Sequence, residues 1–146
     1  NPTSNLGMAA RRALIVGCGA LGNSTAASLV DRGFVVHLLD VDTDALDHLP
    51  QRLIDEGQMI RVHGDGTLES DLIAASVREV GAFLALTGRD ATNALSAQLA
   101  KEVFEVPMVI CRIDSLARQQ MYNDIGLVAV GATSLIRNSI LDLVSD

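Results

Sequence analysis

Aromatic side chains are nearly absent from this chain, at 3% of residues with no Trp and a single Tyr. A core without them is filled by Leu, Ile, Val and Ala, as in a parallel sheet covered by helices, and a hydrophobic content of 49% is ample for that. Positive charge is also scarce: 11 Lys and Arg against 18 Asp and Glu leave a formal net charge of −7. That balance argues against nucleic acid or an anionic membrane as partner, since both need Lys and Arg to replace counterions. No apolar run approaches the roughly 18 residues of a membrane span, so no direct membrane insertion is expected. With no signal-peptide pattern before Met8, the expected location is the cytoplasm. The two cysteines, Cys18 and Cys111, lack C-x-x-C spacing and read as small buried hydrophobes rather than a disulfide. His37, His48 and His63 are not at metal-ligand spacing and read as structural or exposed.

The stretch that is rich in signal runs from Ala13 to Gly22. Leu14, Ile15 and Val16 form an apolar strand that feeds directly into Gly17-Cys18-Gly19-Ala20-Leu21-Gly22, the phosphate-cradling turn of a dinucleotide-binding fold. Gly17 permits the tight turn, Gly19 removes a Cβ that would block a pyrophosphate, and Gly22 lets the following helix lie close to the sheet. The N-terminus of that helix, expected over 23–32, can hold an anion without any Lys or Arg.

The rest of the chain alternates strand and helix. Strand two spans 34–40, and Asp42 or Thr43 caps a helix running to about Glu56. A third strand over 59–63 ends in Gly64-Asp65-Gly66-Thr67, with Thr67 as cap of a helix over 68–77. Strand four spans 81–86, and a long Ala/Leu-rich helix follows Thr87-Gly88-Arg89-Asp90 and ends near Phe104. Strand five follows Pro107, a helix capped by Asp114 or Ser115 runs to Asn123, strand six spans 126–130, and the final helix spans 132–144. Strict alternation implies parallel pairing with right-handed crossovers. The expected fold is therefore α/β: a Rossmann-like, doubly wound, six-stranded parallel sheet of order 3-2-1-4-5-6 with a C-terminal crossover helix. Residues 1–11 read as a linker or non-native remnant, with Met8 a native start. Residues 12–131 form the nucleotide-binding domain, and 132–146 the crossover helix.

Ligands of such a sheet bind past the carboxyl ends of the strands, where strands one and four diverge. The residues there are Gly17 to Gly22, then Asp40, Val41 and Asp42, then Gly64, Asp65, Gly66 and Thr67, then Thr87, Gly88 and Arg89, and finally Arg112. Asp40 lies about 20 residues beyond the glycine turn, where a carboxylate accepts both ribose hydroxyls and repels a 2′-phosphate. The ligand is thus NAD(H) or an adenine nucleotide rather than NADP. Asp40 could otherwise cap the following helix. For Asp65 the alternatives are an Asx turn or contact with the adenine end, and for Arg89 and Arg112 a phosphate or solvent.

Several of these residues carry a more specific resemblance. Gly17-Cys-Gly-Ala-Leu-Gly22, Leu38-Leu-Asp-Val-Asp42, Gly64-Asp-Gly-Thr67, Ala85-Leu-Thr87 with Asp90-x-x-Asn93, and Pro107-x-Val-Ile-x-Arg112 together resemble the nucleotide-binding half of the RCK domain, also called the TrkA-N domain. The resemblance implies a regulatory domain of potassium channels and transporters that binds NAD(H), AMP, ADP or ATP. It implies dimers, octameric rings under a membrane pore, and a place at the inner face of the membrane through that partner. It marks Gly17, Gly19, Asp40, Asp65, Thr67 and Thr87 as ligand-lining. Two departures stand out. Ala20 occupies a position where many members carry a phosphate-reaching basic residue, and the family's second ligand-binding lobe is missing, as in a truncated or minimal member.

The competing reading is the NAD-binding domain of an oxidoreductase lacking its catalytic domain. It finds little support, because Tyr122 and Lys101 are the sole Tyr and Lys and form no Tyr-x-x-x-Lys pair. The last helix carries Ile136, Ile140, Leu143 and Val144 on one face, widened by Leu135 and Leu141. Either it packs beside strand six or it crosses to a neighbouring subunit, as the resemblance implies.

Overall fold

In the computed structural model, which describes residues 11–145, a six-stranded parallel sheet has the order β3-β2-β1-β4-β5-β6. The strands are β1 (Arg12–Val16), β2 (Val35–Asp40), β3 (Met59–His63), β4 (Ala82–Ala85), β5 (Met108–Arg112) and β6 (Val128–Val130). This is the expected doubly wound sheet. The reading of 1–11 as a remnant or linker, including Met8 as a start, falls almost wholly outside the described residues.

The sheet separates two apolar clusters because alternate side chains of a strand face opposite sides. Leu14 and Val16 of β1 point into one cluster, with Leu39, Phe83, Val109 and Cys111. Ala13 and Ile15 point into the other, with Val36, Leu38 and Leu84. Each fully buried Leu, Ile or Phe contributes about 1.5–3 kcal/mol. Helix α1 (Ala20–Asp31) covers the second cluster through Ala26 and Val30, together with Leu46 of α2 (Thr43–Asp47) and Leu53 of α3 (Gln51–Asp55). The first cluster is covered by Leu72 of α4 (Glu69–Ala74) and by Ala94 and Ala97 of α5 (Asp90–Gln98). Both cysteines are buried free thiols on opposite faces. Burial, then the charge of Asp40, pushes Cys18 up to about 12, and burial, then Asp90, pushes Cys111 up to about 11.

Three local expectations are corrected. The single helix to Glu56 is two short helices, α2 and α3, because Pro50 has no N–H to donate and disfavours helix at the residue before it. Asp42 does cap α2, its carboxylate accepting the Asp44 N–H at 2.9 Å. Thr67 is no helix cap. Its hydroxyl turns back to Asp65, and α4 starts only at Glu69. That helix stops at Ala74 rather than Val77, since Ser76 adopts φ 66° and the chain turns so that Val77 and Val80 enter the core.

Helix α5 continues through a wider π turn over Leu99–Val103, close to the expected end at Phe104. Helix α6 (Leu116–Asp124) is capped by Ser115, whose hydroxyl accepts the Arg118 N–H at 3.4 Å. Past its end Gly126 has φ 92°, so β6 begins at Val128, two residues later than expected. The last helix, α7 (Ala132–Ser145), buries none of its residues. It does not pack on its own sheet. No helix among the described residues is long and apolar enough to cross a membrane.

Candidate functional site

The chain leaves β1 for one face of the sheet and β4 for the other, which opens a crevice between their carboxyl ends. The crevice has a volume of about 880 Å³, within the range that holds a nucleotide-sized ligand.

Its floor is the glycine turn, which two contacts lock. Gly17 has φ 104°, and its Cα approaches the β4 exit so closely that a Cβ would meet the Thr87 nitrogen at 2.8 Å. A Cβ on Gly22 would collide with the Gly17 carbonyl oxygen. Gly22 is therefore needed for the turn to close on the first turn of α1, more than for packing of the helix on the sheet. Helix α1 begins at Ala20, three residues before its expected start, which places Ala20 and Leu21 in its first turn, where backbone N–H groups lack intrahelical partners. At Gly19 the space a Cβ would take is open.

Asp40 ends β2 beside this turn. Its Oδ2 accepts the Cys18 N–H at 2.7 Å and its Oδ1 accepts the Asp42 N–H at 2.8 Å. A carboxylate has about four acceptor positions, so these two bonds orient the group and leave capacity for two hydroxyls. Asp65 makes the local turn: its Oδ1 accepts both the Thr67 N–H at 2.8 Å and the Thr67 hydroxyl at 2.6 Å. Those bonds hold its pKa below the ordinary carboxylate value. Asp71 in turn accepts the Asp65 N–H at 2.8 Å.

The far wall is built by one helix. Asn93 of α5 is fully buried; its Oδ1 accepts the Thr87 N–H at 2.9 Å and the Thr87 hydroxyl at 2.6 Å, and its Nδ2 donates to the carbonyls of Thr87 and Arg112. One amide thus ties the ends of β4 and β5 together. One turn on, the Ser96 hydroxyl donates to the Gly66 carbonyl at 2.7 Å, and the Asp90 carboxylate accepts the N–H groups of Asp114 and Ser115.

Of the residues expected here, Gly17, Gly19, Ala20, Leu21, Asp40, Val41, Asp42, Gly64, Asp65, Gly66, Thr67, Thr87, Gly88, Arg89 and Arg112 all line the crevice. Cys18 and Gly22 do not. The Cys18 side chain is buried against the α1 face and contributes only its backbone N–H, while Gly22 sits behind the turn. Reasoning from strand ends missed Val16, Leu39 and Leu86, one step further inside, and Ala45 and Thr92 on the flanking helices. It also missed Ser96, for which a lone Ser in an Ala-rich helix gives no signal.

A family model, the TrkA-N domain, matches residues 13–133. The chain belongs to the TrkA-N family. A relative, the Trk system potassium uptake protein TrkA of Streptomyces coelicolor, is 32% identical over 117 residues, covering 80% of this chain and 51% of that protein. The chain spans about half the length of the curated relatives it matches first. Among solved structures, the TrkA-N domain of the Escherichia coli inner membrane protein ybaL has a TM-score of 0.78 at 16% identity, covering 92% of this chain and 96% of that one. GsuK bound to ADP has a TM-score of 0.73 at 20% identity, covering 91% and 33%. GsuK has also been solved bound to NAD, and the Kef CTD of Shewanella denitrificans in an AMP-bound form, with TM-scores of 0.65 and 0.69 at 16% identity. At these identities the likeness is one of fold.

Proposed function

We propose that this TrkA-N domain is a nucleotide-sensing regulatory module of a potassium channel or transporter, taking NAD(H) or an adenine nucleotide (AMP, ADP or ATP) in the crevice between β1 and β4. The observation that carries the reading is the Asp40 carboxylate. Two backbone N–H groups already orient it beside the glycine turn, where a ribose would accompany a phosphate at the α1 N-terminus. Ligands of three solved structures with this fold, ADP, NAD and AMP, support that chemistry. The curated TrkA relatives support the link to potassium uptake.

The module acts as a homodimer joined through α7, and copies assemble into an octameric ring on the cytoplasmic side of the membrane partner. Nucleotide changes the angle between subunits because it binds one arrangement more tightly than the other. Residues 12–131 form the nucleotide-binding unit and 132–146 the crossover helix. The role is non-catalytic. Tyr122 packs on the apolar cluster and Lys101 donates to the Ile125 carbonyl, so neither candidate acid or base lines the crevice.

The test is calorimetric titration of AMP and NAD into the intact chain and into Asp40→Ala. Two hydrogen bonds to a charged acceptor are worth about 3 kcal/mol or more, so affinity is expected to fall at least about a hundredfold while the thermal unfolding of the unliganded variant stays cooperative. Equal affinity in the variant would take Asp40 out of the site.

A further inference from the structure

The two ends of the crevice differ in charge. Asp40, Asp42 and Asp65 line it at β2 and β3, whereas Arg89 and Arg112 line it at β4 and β5. Arg89 and Arg112 are the two cationic side chains in the lining, so their availability bears on how many phosphates the site accepts.

They are not equally available. Arg112 is held in a bidentate pair, its Nε donating to Asp114 Oδ1 at 3.1 Å and its Nη2 to Oδ2 at 3.0 Å. The bond between them is the main reason that the Asp114 pKa is lowered and the Arg112 pKa raised. Asp114 itself lies outside the crevice lining, and its backbone is placed by Asp90, which accepts its N–H at 2.9 Å. Arg89 is exposed at the mouth. Among the described residues no carboxylate lies within ion-pair distance of its guanidinium. Its backbone is set by Thr87, whose hydroxyl accepts the Arg89 N–H at 3.2 Å. In the glycine turn, where a third cation could sit, the residue is Ala20.

We propose that Arg89 is the cation this site offers to a bound phosphate and that Asp114, by occupying Arg112, disfavours polyphosphates, so that AMP and NAD are preferred over the more highly charged ADP and ATP. This rests on the nucleotide reading above. Against three lining carboxylates, an anion meets the α1 N-terminus and one guanidinium, that of Arg89, with no ion pair among the described residues. The terminal phosphates of ADP and ATP add more charge than the diester phosphates of NAD, and the second guanidinium they meet, Arg112, already has its charge offset by Asp114. Asp114 is thus a specificity residue that need not touch the ligand.

The experiment is titration of adenosine, AMP and ATP into the intact chain, Arg89→Gln, Asp114→Asn and the Asp114→Asn/Arg112→Gln double variant. Arg89→Gln should weaken AMP about tenfold, the worth of a charge-assisted hydrogen bond, and leave adenosine unchanged. Asp114→Asn should tighten ATP up to about fivefold relative to AMP, the upper worth of an exposed ion pair. The double variant should lose that gain, since the released Arg112 is its source. If adenosine binds but Arg89→Gln leaves AMP unaffected, or if the ATP gain is absent or survives in the double variant, the proposal fails while the nucleotide reading stands. If neither adenosine nor AMP binds the intact chain, it is the nucleotide reading that fails, and this proposal with it.

Discussion

Helices α5 and α7 break the usual rule of burial in opposite directions. Helix α5 buries polar residues: Asn93 and Ser96 are at 0% exposure, and every polar atom accounted for serves a carbonyl, an N–H or a hydroxyl of the site wall. Helix α7 does the reverse and leaves Leu135, Ile136, Ile140, Leu141, Leu143 and Val144 between 53% and 77% exposed. A buried amide is tolerated only where all its partners are in place, so α5 is a brace with one allowed position relative to β3, β4 and β5. An apolar stripe left in water lacks its favourable state, so α7 needs a partner surface. Internal polar contacts set the geometry of the site, whereas the apolar stripe of α7 is left for contacts outside the chain's own core.

The largest expected effect lies on the α7 side. The intact chain should scatter light as a dimer at micromolar concentration, and Ile136→Asp/Ile140→Asp should halve that mass, because a charge buried at an apolar contact costs several kcal/mol. Since α7 buries nothing within the subunit, the variant should keep its far-ultraviolet circular dichroism and thermal transition. An intact chain that is already monomeric would mean the α7 stripe serves another partner.

Next in size is the α5 side. Asn93→Ala strands the Thr87 N–H and the carbonyls of Thr87 and Arg112, so denaturant unfolding should show a loss of about 3 kcal/mol with no change of mass. A loss under about 1 kcal/mol would show that water replaces the amide and that α5 is not the brace.

The smallest effect separates neutral buried polar groups from one that can be charged. His37 of β2 is also buried, and its Nε2 accepts from Arg12 Nη1 at 3.4 Å. Burial first, then the Arg12 charge, lowers its pKa from 6.5. The unfolded chain therefore takes up a proton that the folded one resists. Stability should be complete above pH 6.5, decline as the pH falls from there towards the lowered folded value, and change no further through this group below it. Comparing unfolding midpoints of the intact chain and His37→Leu across that range checks the sign. Parallel pH profiles for the two would exclude His37 as the cause.

Residue spacing alone was enough to read the layout. Alternating apolar strands and helices implied the sheet order, because parallel strands joined by right-handed crossovers have few arrangements. The glycine turn with Asp40, and the residues just past each strand, then indicated nearly all of the crevice lining, since chain connectivity places those segments at one edge. Local details that depend on one residue's backbone choice were less legible. Pro50 splits a helix, Ser76 ends another by turning left-handed, and Thr67 bonds to Asp65 rather than capping α4. Each is a competition between two local conformations that periodicity does not resolve. Only the tertiary structure decided which side chains spend their bonding capacity inside the protein. Asn93 meets Arg112 from 19 residues away, Ser96 meets Gly66 from 30, and Asp90 accepts the Asp114 N–H from 24. Such pairings follow from the distances that packing creates between segments remote in the chain, and a residue's identity and spacing carry no record of them.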